Sequence, residues 1–163
     1  VLIRAFRKVV DECPEATLRI VGDGPEKEAY QTLIHNLDLE SHIELSGWLG
    51  PTGVRRALHQ TEVFVHPSRR EGFGLAVVEA MAAGCRIVAS RVGGIPEIVE
   101  GTNAFLVDPN SVESLTIGMT QALHEMSHQT KKKEKPQIQA EYFDQDKVID
   151  KYELSLRGSR KRV

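Results

Sequence analysis

The feature that most constrains the fold is a regular alternation of short apolar runs with longer stretches that have helical spacing. The apolar runs are residues 17–21, 43–45, 63–65, 86–89 and 105–107. Residues 63–65, 87–89 and 105–107 are apolar throughout, which is typical of strands that are buried on both faces of a parallel sheet. The sequence therefore predicts an α/β domain in which helices cover both faces of a doubly wound parallel sheet.

Composition and charge exclude several classes of protein. The chain has 163 residues, 40% of them hydrophobic and 27% charged, so it is large enough for one domain with a core. Its net charge of −2 disfavours a basic nucleic-acid-binding surface, so we expect no nucleic-acid partner. Its apolar runs are far shorter than the roughly 20 residues that a membrane span needs. Cys13 and Cys85 lack metal-binding spacing and suit a reducing compartment, which predicts cytoplasmic localisation.

The pattern predicts three segments along the chain. Residues 1–128 carry the alternation and form the domain, residues 129–139 read as a charged linker, and residues 140–163 read as a C-terminal helix followed by a basic tail. The chain is apolar from Val1 onward and begins without methionine or a helix cap. We therefore expect it to be part of a longer protein.

Glycine-rich turns follow four of the predicted strands. They are Gly22 and Gly24, Gly47 and Gly50, Gly72 and Gly74, and Gly93 and Gly94. In doubly wound folds ligands bind at the carboxyl ends of the strands, and glycine lets a ligand approach the backbone closely. The alternative is that these tight turns need glycine for their own geometry. For the set as a whole we favour a ligand site.

The strongest motif is the loop that leads into the helix predicted from Leu75 to Ala83. Gly72-Phe73-Gly74 stands directly before it, so the backbone N–H groups of Gly74, Leu75 and Ala76 are expected to be free. These donors and the helix dipole favour a phosphate group at this point.

Two carboxylates, Glu71 and Glu79, accompany this helix. Glu79 is flanked by apolar residues in the sequence, so it is expected to need a partner, for which vicinal ribose hydroxyls are suited. Glu71, on the loop, would accept hydrogen bonds from sugar hydroxyls. The alternatives are that Glu71 caps the helix and that Glu79 is a surface residue. His66 is interpreted as a packed residue rather than as a base.

The segment from Glu71 to Glu79 resembles the E-x7-E motif of retaining GT-B glycosyltransferases, the family-four enzymes related to glycogen synthase. Further similar segments, in the family's order, are residues 20–25, 45–49, 63–68, 89–97 and 105–107. The resemblance covers about residues 1–125, and residues 143–152 are similar to the family's terminal helix. It implies a Rossmann-like sheet, the C-terminal half of a GT-B fold.

The resemblance also implies roles for individual residues. Glu71 would contact the donor sugar as the catalytic residue, and Glu79 would bind the ribose. Leu49 would meet the nucleobase through its backbone, and Gly22 would line the site. The backbone from Gly72 through Phe73 and Gly74 to Leu75 would hold the diphosphate. The substrate would be a UDP-, GDP- or ADP-linked sugar, with no further cofactor and no catalytic metal.

The same resemblance leaves parts of the family pattern unmatched. The family's first strand, which carries an Arg and a Lys for the phosphates, and its N-terminal acceptor-binding domain are expected before Val1. Arg69, Arg70 and Arg91 either supplement phosphate binding or are solvent-exposed. Because the family includes enzymes with lipid-linked acceptors, peripheral association with the cytoplasmic face of a membrane is compatible with it.

Two further readings remain open from the sequence. One is a nucleotide-sugar epimerase or hydrolase of GT-B architecture, and the other is a non-catalytic nucleotide-binding module. The coding sequence upstream of Val1 distinguishes them, since a further α/β domain there would favour the transferase. On that interpretation, the 163-residue chain alone is expected to lack transfer activity.

Overall fold

The computed structural model describes residues 1–128, which alternate between helices and strands as predicted. The helices are α1 (Leu2–Glu12), α2 (Lys27–Asn36), α3 (Pro51–Gln60), α4 (Leu75–Ala82), α5 (Ile95–Ile98) and α6 (Val112–His128). The strands are β1 (Leu18–Val21), β2 (Ile43–Gly47), β3 (Val63–His66), β4 (Arg86–Ser90) and β5 (Phe105–Val107). The predicted linker over 129–139 and helix over 140–163 lie outside the described residues.

All the strand pairs are parallel, and they form two separate ladders. β1 pairs with β2, and β3, β4 and β5 pair in that order. The prediction of a parallel α/β sheet is confirmed, with one difference: β1 and β3 do not pair with each other, so the described strands do not form one continuous sheet. Within each ladder the carboxyl ends meet at the same edge, which is where the glycine turns lie.

The three-stranded ladder is covered on both faces. In β4, four consecutive residues from Ile87 to Ser90 are buried, which requires cover on both sides. Helices α4 and α6 both contact β3 and β4. Helix α6 packs closely, because a Cβ added at Gly118 would lie 2.6 Å from Val107 Cγ1. The core on this side also takes the buried face of α1, namely Ile3, Ala5, Phe6, Val9 and Val10.

Helix α4 was predicted from Leu75 to Ala83, and it ends one residue earlier, at Ala82. Pro25 lies in a turn in which the Lys27 N–H donates to the Gly24 carbonyl, and α2 begins at Lys27. Helix α4 ends before Gly84, which adopts the left-handed conformation (φ 84°) expected of a helix stop. Helix α6 is the longest of the described helices, at 17 residues. Among residues 1–128, none of the helices is long and apolar enough to cross a membrane.

Candidate functional site

The N-terminus of α4 lies at the carboxyl edge of the three-stranded ladder, eight residues after β3 ends. Its N-cap is Gly74, which has φ of +88°. The Gly74 carbonyl accepts from the Val77 and Val78 N–H groups at 2.9 and 3.2 Å. The N–H groups of Leu75 and Ala76 have no acceptor among residues 1–128, and Leu75 as a whole residue is 63% exposed. These two donors are therefore open to an anion from solvent.

The third predicted donor, the Gly74 N–H, is already in use by Glu71. Glu71 Oε1 accepts from the Gly72 and Gly74 N–H groups at 3.1 and 3.2 Å. This oxygen therefore makes the contacts expected if Glu71 caps the helix. Glu71 Oε2 lies 2.8 Å from His66 Nε2. The hydrogen bond from His66 and those from the two amides lower the pKa of Glu71 from its usual value. A carboxylate is thus held at the edge of the open helix terminus.

His66, the last residue of β3, was expected to be packed, and it is half-buried. Its ring lies nearly parallel to that of Phe64, with centroids 6.1 Å apart and 17° between the planes. It also forms a hydrogen bond with Glu71, which was not predicted from the sequence. The available signal was the position of a histidine at a strand end five residues before a loop carboxylate.

The turn after β4 fixes the backbone of the Glu71 loop. The Gly94 N–H donates to the Gly72 carbonyl at 3.1 Å. Gly93 has φ of +54°, and a Cβ added there would lie 1.8 Å from the Glu71 carbonyl oxygen. Glycine was expected here for ligand approach. In the structure the group that approaches this closely is the backbone of Glu71.

Glu79 is exposed, so the apolar setting that its sequence neighbours suggested is not found, and its contact with ribose hydroxyls stays a prediction. Its neighbours Val77 and Ala80 face the core and are fully buried, whereas Glu79 lies on the opposite face of α4. Within the described residues its carboxylate has no hydrogen bond or ion pair, although its carbonyl accepts from the Ala83 N–H at 3.0 Å. Leu75 precedes it by one turn and is also exposed, so the two share a face that leads from the helix N-terminus.

The remaining predicted positions lie on neighbouring loops. Gly22 is exposed (φ 133°), and its N–H donates to the Gly47 carbonyl at 2.8 Å, which links the ends of β1 and β2. Leu49 is half-buried and lines a shallow cavity of about 280 Å³ that also contains Arg19 and Glu44. Trp48, beside it, is 75% exposed. These loops surround an open surface rather than a closed pocket.

The three arginines near this edge, Arg69, Arg70 and Arg91, are exposed. The hydrogen bond with Glu26 raises the pKa of Tyr30, and the charge of Arg69 acts in the opposite direction. Among residues 1–128 no group of three His, Cys, Asp or Glu side chains is placed to hold a metal ion.

A parallel, Rossmann-like α/β domain of this kind matches the structures of GT-B glycosyltransferases. The chain belongs to the family of group 1 glycosyl transferases, because the model of that family matches residues 1–140. This confirms the resemblance that the motifs indicated.

Individual relatives support the assignment. A sulfoquinovosyl transferase from Arabidopsis thaliana is 35% identical over 127 residues, which is 76% of this chain and 24% of that protein. The N-acetyl-alpha-D-glucosaminyl L-malate synthase of Bacillus anthracis is 31% identical over 154 residues, 93% of this chain and 40% of that protein. The chain thus spans well under half the length of these relatives.

Among solved structures, the Anabaena protein HepE in complex with UDP and glucose matches with a TM-score of 0.65 and 28% identity. The match covers 77% of this chain and 35% of that one. The pneumococcal O-GlcNAc transferase GtfA in complex with UDP and GlcNAc matches with a TM-score of 0.69 and 26% identity, over 77% of this chain and 26% of that one.

Proposed function

We propose that this chain binds the donor in a glycosyltransferase that moves a hexose-type sugar from a nucleotide-sugar to an acceptor with retention of the anomeric configuration. The observation that carries the proposal is the open N-terminus of α4, where the Leu75 and Ala76 N–H groups lie beside the ionised Glu71. Donors of this kind bind phosphate oxygens, and a carboxylate accepts from sugar hydroxyls.

The spacing along α4 supports the assignment of parts of the donor to residues. The diphosphate would lie at the helix terminus, on the open N–H groups of Leu75 and Ala76. Gly72 and Gly74 form the loop there, and their N–H groups are bonded to Glu71. The exposed Glu79, one turn further on the same face, would accept from the ribose hydroxyls. Leu49 and Gly22, on the adjacent loops, would lie toward the nucleobase. UDP is the nucleotide that we expect, since it is bound in two of the similar solved structures.

Charge explains how the arrangement would assist transfer. When the sugar leaves, negative charge grows on the diphosphate, and preorganised N–H donors stabilise it. The sugar gains positive character in the same step, so the carboxylate of Glu71 is suited to stabilise it. Transfer also requires the acceptor to be positioned against the donor. Because the chain spans well under half of its relatives, we expect the 163 residues alone to bind donor without transferring sugar.

We assign this activity to the cytoplasm, including the cytoplasmic face of a membrane. The chain has two cysteines, and both Cys13 and Cys85 are free thiols. Burial raises the pKa of Cys85 to about 11, so this thiol is unreactive at neutral pH. Free thiols are the usual state in a reducing compartment.

Titration calorimetry with UDP, UDP-glucose, GDP-glucose and ADP-glucose tests the proposal. We expect UDP to bind the wild-type chain and Glu79→Ala to bind it roughly tenfold more weakly, as the loss of a charged hydrogen bond predicts. Glu113→Ala, an exposed carboxylate in the first turn of α6, is the matched control and should bind like wild type. Absence of affinity for every nucleotide would contradict the proposal, and equal affinity of wild type and Glu79→Ala would contradict the ribose role.

A further inference from the structure

The two oxygens of the Glu71 carboxylate are held by different parts of the chain. Oε1 is fixed by the Gly72 and Gly74 N–H groups of its own loop. Oε2 has one hydrogen-bond partner in the described residues, His66 Nε2 at 2.8 Å. The loop therefore fixes one oxygen, and β3 supplies the group that fixes the other.

His66 is itself held on three sides. Its backbone pairs with Ala89 of β4, its ring lies over Phe64, and its side chain is only 21% exposed. The rotation of a glutamate carboxylate about its last bond is broad and has no strong intrinsic preference. With Oε1 held by the loop amides, a rigid partner on Oε2 fixes the remaining rotation of the carboxylate.

We propose that His66 is a positioning residue that sets the orientation of the Glu71 carboxylate toward the donor sugar. The inference rests on the proposed function and extends it to a residue outside the Glu71–Glu79 segment. His66 acts through Glu71 and needs no contact with the nucleotide. Its loss should therefore weaken the contribution of the sugar to binding and leave the contribution of the nucleotide unchanged.

Two substitutions separate the hydrogen bond from the packing. His66→Phe keeps a ring to lie over Phe64 and removes the N–H donor. His66→Gln keeps an N–H donor at similar reach and removes the ring. His59→Phe, on the exposed face of α3, is the matched control for the added phenyl group.

The measurement is the affinity of each variant of the 163-residue chain for UDP and for UDP-glucose, with the melting temperature recorded in parallel. We expect His66→Phe to bind UDP within about twofold of wild type, while its ratio of UDP-glucose affinity to UDP affinity falls roughly tenfold. His66→Gln should restore most of the wild-type ratio, because it keeps the N–H donor. If wild type binds both ligands and His66→Phe keeps the wild-type ratio, the inference is wrong and the proposed function stands. Equal loss of both affinities in His66→Phe and His66→Gln would show a structural role and would also refute it. If wild type binds neither ligand, the proposed function fails, and the inference fails with it.

Discussion

Replacing Gly93 by alanine tests whether the turn after β4 sets the position of the Glu71 loop. The added Cβ would lie 1.8 Å from the carbonyl oxygen of Glu71 and 3.2 Å from that of Gly72. Real Cβ contacts essentially never fall below 3.0 Å, so the Glu71 carbonyl would have to move from 1.8 Å to at least that distance. The atom in the way belongs to the backbone, so no side-chain rotation relieves the contact.

The size of the effect follows from two costs. A left-handed conformation costs an L-residue about 1–2 kcal/mol, and overpacking that shifts the backbone costs about 1–3 kcal/mol. Alanine also restricts the unfolded chain, which returns about 0.4–1 kcal/mol. We therefore expect Gly93→Ala to lower the free energy of unfolding by about 2–4 kcal/mol, a large part of the about 5–15 kcal/mol typical of domains.

Gly101 provides the matched control. It has φ of +75°, and a Cβ added there meets nothing within 4 Å. Gly101→Ala therefore carries the conformational cost without the collision, and should lower the free energy of unfolding by about 0–1.6 kcal/mol.

Urea unfolding followed by far-UV circular dichroism measures both variants, and calorimetry with UDP-glucose reports on the site. We expect Gly93→Ala to lose stability well beyond Gly101→Ala and to bind UDP-glucose more weakly than wild type under conditions in which it is folded. If the two variants have the same stability, the close approach of Gly93 to Glu71 does not hold in solution. If Gly93→Ala binds UDP-glucose like wild type, the turn does not control the site.

Three further predictions concern packing, pH and association. Gly118→Ala should lower the melting temperature, because its Cβ would lie 2.6 Å from Val107 Cγ1 and overpacking costs about 1–3 kcal/mol. An unchanged or higher melting temperature would mean that the helix propensity of alanine outweighs the collision. The pKa of Glu71 is lowered by folding, so its contribution to stability is present above its unfolded value and is lost as pH falls through the folded one. Urea unfolding at pH 7 and in the acid range should therefore show the difference between wild type and Glu71→Gln shrinking on acidification, and a constant difference would contradict the ionised state. β1 pairs with β2 along one edge, and its other edge is unpaired among residues 1–128. Val21 on that strand is 42% exposed, so light scattering should detect self-association of the wild-type chain that Val21→Lys reduces. Identical scattering by the two proteins would place any association elsewhere.

The order and type of the elements were predictable, because each depends on a local pattern. The apolar runs become the strands, and Gly84 ends α4 as its freedom at positive φ suggests. The separation into two ladders was not predictable from these runs. Strand pairing depends on which strands lie side by side in the fold, and the composition of β1 and β3 does not specify their neighbours.

The candidate site was likewise predictable from the sequence only in part. The open amides of Leu75 and Ala76 follow from the start of a helix, which the sequence marks clearly. The environment of Glu79 was predicted wrongly because adjacent residues in a helix face different directions, so apolar flanks do not imply an apolar setting. The bond from His66 to Glu71 and the approach of Gly93 are tertiary contacts that local spacing does not encode.

The two ladders share no strand pairing, yet one apolar core connects them. Ile43 of β2, Val88 of β4 and Val107 of β5 belong to the same buried cluster, together with residues of α1 and α6. We therefore expect cooperativity between the two ladders to depend on helix packing and not on a continuous network of backbone hydrogen bonds. Amide hydrogen exchange of β2 and β4 should consequently respond together to a cavity made in α1, such as Phe6→Ala, although no backbone hydrogen bond joins the two ladders.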